Sequence, residues 1–237
     1  MTEQETEEAA INFARKNKER IARDLTEIQK YSPDTEPLSV FMAGSPGAGK
    51  TEFSTALVRA LEDDGIRHVL RIDTDDYRHV LPGYTGANSY LFQAGVSIIA
   101  DKVHDLALSH KQSFIFDGTL WKYERAAKNI KRSLDKHRSV LVVYVYQRPE
   151  IAWKFTQARE LAEGRHVPRR AFIDQFLGAR ATVERIVEDF GSAVAVTLVK
   201  KDFTKHSVES ITMMDRGHPI DAVIHERYTV DSLEKIL

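Results

Sequence analysis

Eight consecutive residues, Gly44-Ser45-Pro46-Gly47-Ala48-Gly49-Lys50-Thr51, follow the spacing G-x-x-x-x-G-K-[ST]. Glycines let a backbone turn tightly enough for successive N–H groups to converge on one anion, and a helix starting there adds the positive end of its dipole. The lysine of such a loop reaches the β- and γ-phosphates of a nucleotide, and the adjoining hydroxyl is a Mg²⁺ ligand. Lys50 and Thr51 occupy those places, so Gly44 to Thr51 are the expected ATP- or GTP-binding loop. The bland alternative is a Gly-Pro-rich turn with a surface lysine. An apolar run before the loop and a helical pattern after it favour the phosphate cradle.

A phosphate cradle does not say whether the phosphoryl group passes to water, to a substrate or nowhere. The segment Ile72-Asp73-Thr74-Asp75-Asp76-Tyr77-Arg78 ends an apolar run in carboxylates. Strand alternation puts Asp73 and Asp75 on one side, with Asp75 placed to take the proton from an attacking hydroxyl and Asp73 to orient its neighbours. An aspartate there also makes a good helix N-cap. A second apolar run, Ser113 to Phe116, delivers Asp117-Gly118-Thr119. Asp117 is a candidate for a Mg²⁺ water or an acceptor hydroxyl, or else a turn residue, and Thr119 is a candidate substrate contact. Further along, a helix carrying Arg159 breaks at Gly164, and Arg165 precedes Pro168-Arg169-Arg170. Kinases of this type cover the transferring phosphate with an arginine-bearing lid, here expected over residues 150–190. Arg159 and Arg165 are preferred over Arg169 and Arg170, although long charged side chains commonly do no more than face water.

The elements that must hold these groups can be read from periodicity. Strands are expected at Leu38–Ala43, His68–Ile72, Ser113–Phe116, Ser139–Tyr146 and Val194–Val199, with helices at 49–63, 94–109, 122–136 and 150–162, and a broken helix at 169–189. This alternation implies an α/β fold, a P-loop NTPase or kinase-like parallel sheet with helices on both faces. Residues 1–37 read as an amphipathic helix over 7–30, with Ala10, Phe13, Ile21, Leu25 and Ile28 inward, plus a linker; 38–237 read as the kinase domain. The tail suggests a strand at Asp221–Ile224 and a short helix at Asp231–Leu237.

Composition excludes several alternatives. The chain has 237 residues, 34 Lys+Arg against 35 Asp+Glu, and no cysteine. Near-neutral charge gives no field to attract nucleic acid or an anionic membrane, and the absence of thiols removes disulfides, thiolate metal sites and a cysteine nucleophile. The acidic N-terminus does not resemble an export signal, no apolar run approaches the roughly 20 residues of a membrane span, and the cytoplasm is the expected compartment. The histidines lack metal-ligand spacing, and no Asn-Lys-x-Asp or Thr-Lys-x-Asp guanine-reading loop is present, since Thr204-Lys205 precede His206-Ser207.

Taken together, these residues resemble the zeta toxin family, the kinases of epsilon–zeta toxin–antitoxin systems. The resemblance spans roughly residues 10–190 and rests on Gly44 to Thr51, on Ile72 to Arg78 followed by Pro82 and Tyr84, on Asp117-Gly118-Thr119, and on the arginine pair before Pro168. It implies phosphorylation of the 3′-hydroxyl of the sugar in UDP-N-acetylglucosamine, with Asp75 as base, Lys50 and Thr51 on phosphate and Mg²⁺, and Arg159 and Arg165 as γ-phosphate clamps. It also implies Asp101 and Thr119 on the sugar nucleotide, Asp117 beside the reaction centre, and an epsilon-like antitoxin as partner. Asp101 and Asp117 stand where well-known members carry glutamate. Kinases of another small-molecule hydroxyl and a non-catalytic nucleotide switch are the competing readings.

Overall fold

A computed structural model describes residues 2–64, 68–164, 166–202 and 207–237. Its strands are β1 (Leu38–Ala43), β2 (Leu70–Asp73), β3 (Phe114–Asp117), β4 (Ser139–Tyr146), β5 (Ala195–Asp202) and β6 (Ser207–Met214). The helices are α1 (Glu3–Leu25), α2 (Lys50–Asp63), α3 (Gln93–Ser109), α4 (Tyr123–Leu134), α5 (Pro149–Glu163), α6 (Arg169–Phe190) and α7 (Val230–Ile236). The sheet order is β2-β3-β1-β4-β5-β6, parallel except for β6.

Burial on both faces explains the continuous apolar strands. Along β1, Phe41 and Ala43 join the core shared with α1, α3, α4 and α6, whereas Val40 and Met42 pack against Phe53 and Leu57 of α2. Because β1, β2 and β3 are parallel, their ends deliver Gly44, Asp73 and Asp117 to one edge of the sheet, where ligands bind in open α/β folds. Among the described residues no helix is long and apolar enough to cross a membrane.

The termini depart from the expected elements. α1 stops at Leu25, because Gln112, buried on the segment before β3, donates to the carbonyls of Thr26 and Tyr31 and fixes a turn. Ile28 therefore lies beyond the helix and is half exposed. The sheet has an unforeseen strand, β6, whose exposed Val208, Ile211 and Met213 hide its alternation. Asp221–Ile224 is no strand; a 3-10 turn covers Ile220–Ala222, with Ile220 and Ile224 buried as plugs.

The break expected within 169–189 is also absent: α6 runs unbroken through Gly178. Glycine is required there by packing. A Cβ at Gly178 would lie 2.8 Å from the Trp121 carbonyl oxygen and 3.2 Å from the Trp121 Cβ. Gly178→Ala, which by helix propensity alone should gain about 1 kcal/mol, is expected to destabilise by roughly 1–3 kcal/mol in a urea titration through overpacking.

His104 of α3 is fully buried among Phe41, Phe114 and Phe116. Arg132 can only donate to its Nδ1, at 3.2 Å, so the ring proton sits on Nε2, which is buried without a partner. Burial, followed by the nearby Arg132 and Arg138 charges, pushes its pKa down to about 3. The unfolded chain binds a proton near pH 6.5 and the folded chain does not, so stability is lost as pH falls from about 6.5 toward 3. The slope should approach 1.4 kcal/mol per pH unit, and His104→Leu should flatten the urea midpoint profile between pH 6 and 4. Parallel profiles would contradict the buried neutral ring.

Candidate active site

Two glycines of the phosphate-binding loop adopt conformations and approaches that exclude side chains. Gly44 has φ +138°, and a Cβ there would lie 2.4 Å from the Val145 carbonyl oxygen. Gly47 has φ +71°, and its Cβ would lie 2.0 Å from the Ala152 carbonyl oxygen of α5. The loop is thereby wedged between β4 and α5. α2 begins without a side-chain N-cap, which leaves its first N–H groups for a ligand. Lys50 bends back over the loop, its Nζ donating to the carbonyls of Gly44 at 3.0 Å and Ser45 at 2.8 Å. Thr51 is exposed on the first turn. The Gly44 N–H donates to the Thr119 carbonyl at 3.2 Å and stitches the cradle to the segment after β3.

A network of charges lies alongside. Asp117 is 5% exposed; its Oδ2 accepts from Ser54 Oγ at 2.9 Å and Arg71 Nη2 at 3.0 Å. These bonds converge on Oδ2 and leave Oδ1 outside them. Arg71 also pairs with Asp73 and, at 3.5 Å, with Asp76. Burial, then the charges of Asp75 and Asp117, push Asp73 up to about 7 although Arg71 and the Asp75 N–H pull the other way.

β2 ends at Asp73, so strand alternation does not extend to Asp75. A turn sets its position instead. The Asp75 N–H donates to Asp73 Oδ1 at 2.8 Å, and Asp75 Oδ1 pairs with Arg78 Nη1 at 2.8 Å. Arg78 is itself buried and donates to Gln93 of α3 at 3.0 Å. Asp75 is thus held at backbone and carboxylate, and among the described residues its side chain caps no helix.

The remaining candidates are more dispersed. Asp101 of α3 pairs with Arg125 of α4 at 2.6 Å, both side chains about half exposed. Arg159 pairs with Glu163 one turn on, at 3.2 Å. Arg165 lies outside the described residues. Arg169 donates to the Glu234 carbonyl, and Arg170 pairs with Asp174 and Glu234, so these two anchor α7. The end of α5 reaches the segment after β2: a Cβ on Gly86 would lie 3.1 Å from the Glu163 carbonyl oxygen, and one on Gly164 would lie 3.5 Å from the Ala87 nitrogen.

Ser54, Arg71 and Arg78 complete the site, and motif reading gave none of them a role. The available signal was Arg71 itself, a charge in an otherwise apolar strand two residues before Asp73 and on the same face. A hydroxyl and carboxylates are the hard oxygen donors that Mg²⁺ takes alongside phosphates and water. Among the described residues no cluster of three or more His, Cys, Asp or Glu could cage a metal, and a Mg²⁺ bound mainly through phosphate needs none. Thr51 and Asp117 fit that sparser role.

Arg71→Leu strands buried carboxylates. Its cost should be about 3–5 kcal/mol at pH 8, where Asp73 is ionised. The cost should shrink toward pH 5, because Asp73, raised already, takes up a proton more readily without the guanidinium. Urea unfolding at both pH values checks this; equal losses would mean that Arg71 acts by packing alone.

The sequence model for zeta toxin matches residues 22–212. No curated protein matches the chain. Among solved structures, one from the PezAT chromosomal toxin–antitoxin system of the human pathogen Streptococcus pneumoniae is 15% identical, with 94% of each chain covered and a TM-score of 0.68. The AvrRxo1-ORF1:-ORF2 structure with ATP is 18% identical, with 95% of this chain and 73% of that one covered and a TM-score of 0.61. The AvrRxo1-ORF1:AvrRxo1-ORF2 structure with sulphate ions is 16% identical over 89% of this chain, with a TM-score of 0.58. At these identities the structures share a fold, whereas the family match covers most of the sequence: the chain belongs to the zeta toxin family.

Proposed function

We propose that the protein is a kinase that transfers the γ-phosphoryl group of ATP, or of GTP, to the 3′-hydroxyl of the sugar in UDP-N-acetylglucosamine. The observation that carries this reading is Asp75, fixed by the buried Arg78 at the sheet edge that also bears the phosphate-binding loop. A nucleotide switch would not need an oriented carboxylate on its acceptor side.

In this reading the loop amides and Lys50 bind the β- and γ-phosphates, Lys50 exchanging the carbonyls of Gly44 and Ser45 for phosphate oxygens. Thr51 and Asp117 hold Mg²⁺, which when bound neutralises phosphate charge. Asp75 accepts the proton as the hydroxyl oxygen bonds to the γ-phosphorus and the bond to the β-phosphate oxygen breaks, releasing the nucleoside diphosphate. Arg159 and Arg165 are the proposed clamps on the transferring group, Arg159 leaving its exposed Glu163 partner to act. Thr119, Asp117 and Asp101 line the acceptor side. Because family membership and likeness to toxin–antitoxin structures point to a protein inhibitor, an epsilon-like antitoxin is the proposed partner.

One observation favours a second reading, a kinase for another small-molecule hydroxyl. Asp101 is engaged by Arg125, and its shorter side chain must leave that pair to reach a sugar.

Incubation with Mg²⁺, ATP and UDP-N-acetylglucosamine should give, by mass spectrometry, a sugar nucleotide heavier by one phosphate. Asp75→Asn should lower turnover by about 10²–10⁴ while ATP still binds. Retention of more than about a tenth of wild-type turnover would remove Asp75 as base, and absence of product with ATP bound would favour the second reading.

A further inference from the structure

Two lysines close β5 and find different acids. Lys200 pairs with Glu209 of β6 at 2.9 Å; Glu209 is the extra residue where the β5–β6 register shifts. Lys201 falls on the α2 face of the sheet, as Val199 does two residues earlier. Its side chain is only 12% exposed, and its Nζ lies 3.6 Å from Oε2 of Glu52, a residue 79% exposed.

Lys201 also borders the phosphate-binding loop. A Cβ on Gly49 would lie 3.3 Å from its Cε and 3.6 Å from its Nζ. Gly49 is the N-cap of α2, and Glu52 stands in the first turn of the same helix, beside the outward-pointing N–H groups that an anion would use. Enclosing most of a lysine costs solvation, and a water-exposed carboxylate beyond hydrogen-bonding distance returns little of it. A phosphate oxygen at this helix end would meet the ammonium and the amides together. Glu52 is then an internal anion occupying the place of an external one.

We infer that Lys201 is a second cationic ligand of the nucleotide, contacting its α-phosphate, and that Glu52 holds this lysine until the phosphate replaces it. The assignment to the α-phosphate follows from position. Lys50 lies over the loop at Gly44 and Ser45, where the β- and γ-phosphates are cradled, whereas Lys201 lies beyond Gly49 toward Glu52, farther along the phosphate chain. The inference rests on the nucleotide-binding reading above.

Binding of adenosine, AMP, ADP and ATP, measured by calorimetry or by competition against ADP, tests it. Lys201→Met should weaken AMP, ADP and ATP alike, by about tenfold to a hundredfold, and leave adenosine unchanged. Glu52→Gln should tighten AMP a few-fold with Lys201 present and by less in the Lys201→Met background, where only repulsion between the carboxylate and the phosphate is relieved. Thermal melting of the nucleotide-free variants separates binding loss from misfolding, and Lys201→Arg should retain most of the affinity. Unchanged AMP affinity in Lys201→Met, or an equal loss for adenosine, overturns the inference. Wild-type protein that binds neither ADP nor ATP overturns the nucleotide reading itself.

Discussion

Carboxylates crowd the ends of β2 and β3, and two arginines keep that crowd in a folded protein. Asp73 and Asp117 face each other across paired strands, with Asp75 and Asp76 in the following turn. Unpaired, such charges would repel one another and resist burial. Arg71 rises between them from β2 and Arg78 closes on Asp75 from the turn, so each acid has a cation on its own element or its neighbour. The same Arg78 anchors the segment after β2 onto α3 through Gln93. The chemistry assigned to the site therefore draws on negative charge that the fold has already neutralised in part.

The phosphate-binding loop imposes a constraint of another kind. Gly44 and Gly47 bring its backbone against the carbonyls of Val145 and Ala152, leaving no room for side chains. One loop thus packs directly on β4 and α5, and α5 is the element that bears Arg159.

The parallel sheet was legible because each strand buried on both faces is a continuous apolar run with turn residues after it. β1 and β4 have the limits that periodicity gives. β6 was not legible: it lies at an edge with apolar side chains exposed, so neither alternation nor continuity marks it. The missing break in α6 has a different cause, since Gly178 is dictated by Trp121, a contact of long sequence separation that no local window contains. At the site, residues that touch phosphate in every loop of this type could be named from spacing. Arg71, Arg78 and Ser54 could not, because their roles depend on which carboxylate the fold brings near them. Asp75 shows the boundary between the two cases: the motif singles it out, but its orientation comes from a turn that strand alternation does not describe.

Where α5 meets the segment after β2, main chain approaches main chain, Gly86 and Ala87 against Glu163 and Gly164. A contact formed by peptide groups is largely indifferent to the side chains around it. Residues around it can therefore be exchanged during divergence without rebuilding that contact, as long as the glycines remain. The side chains that would select an acceptor and the backbone contact that frames them become separately evolvable, which gives one scaffold a route to serve kinases with unrelated targets.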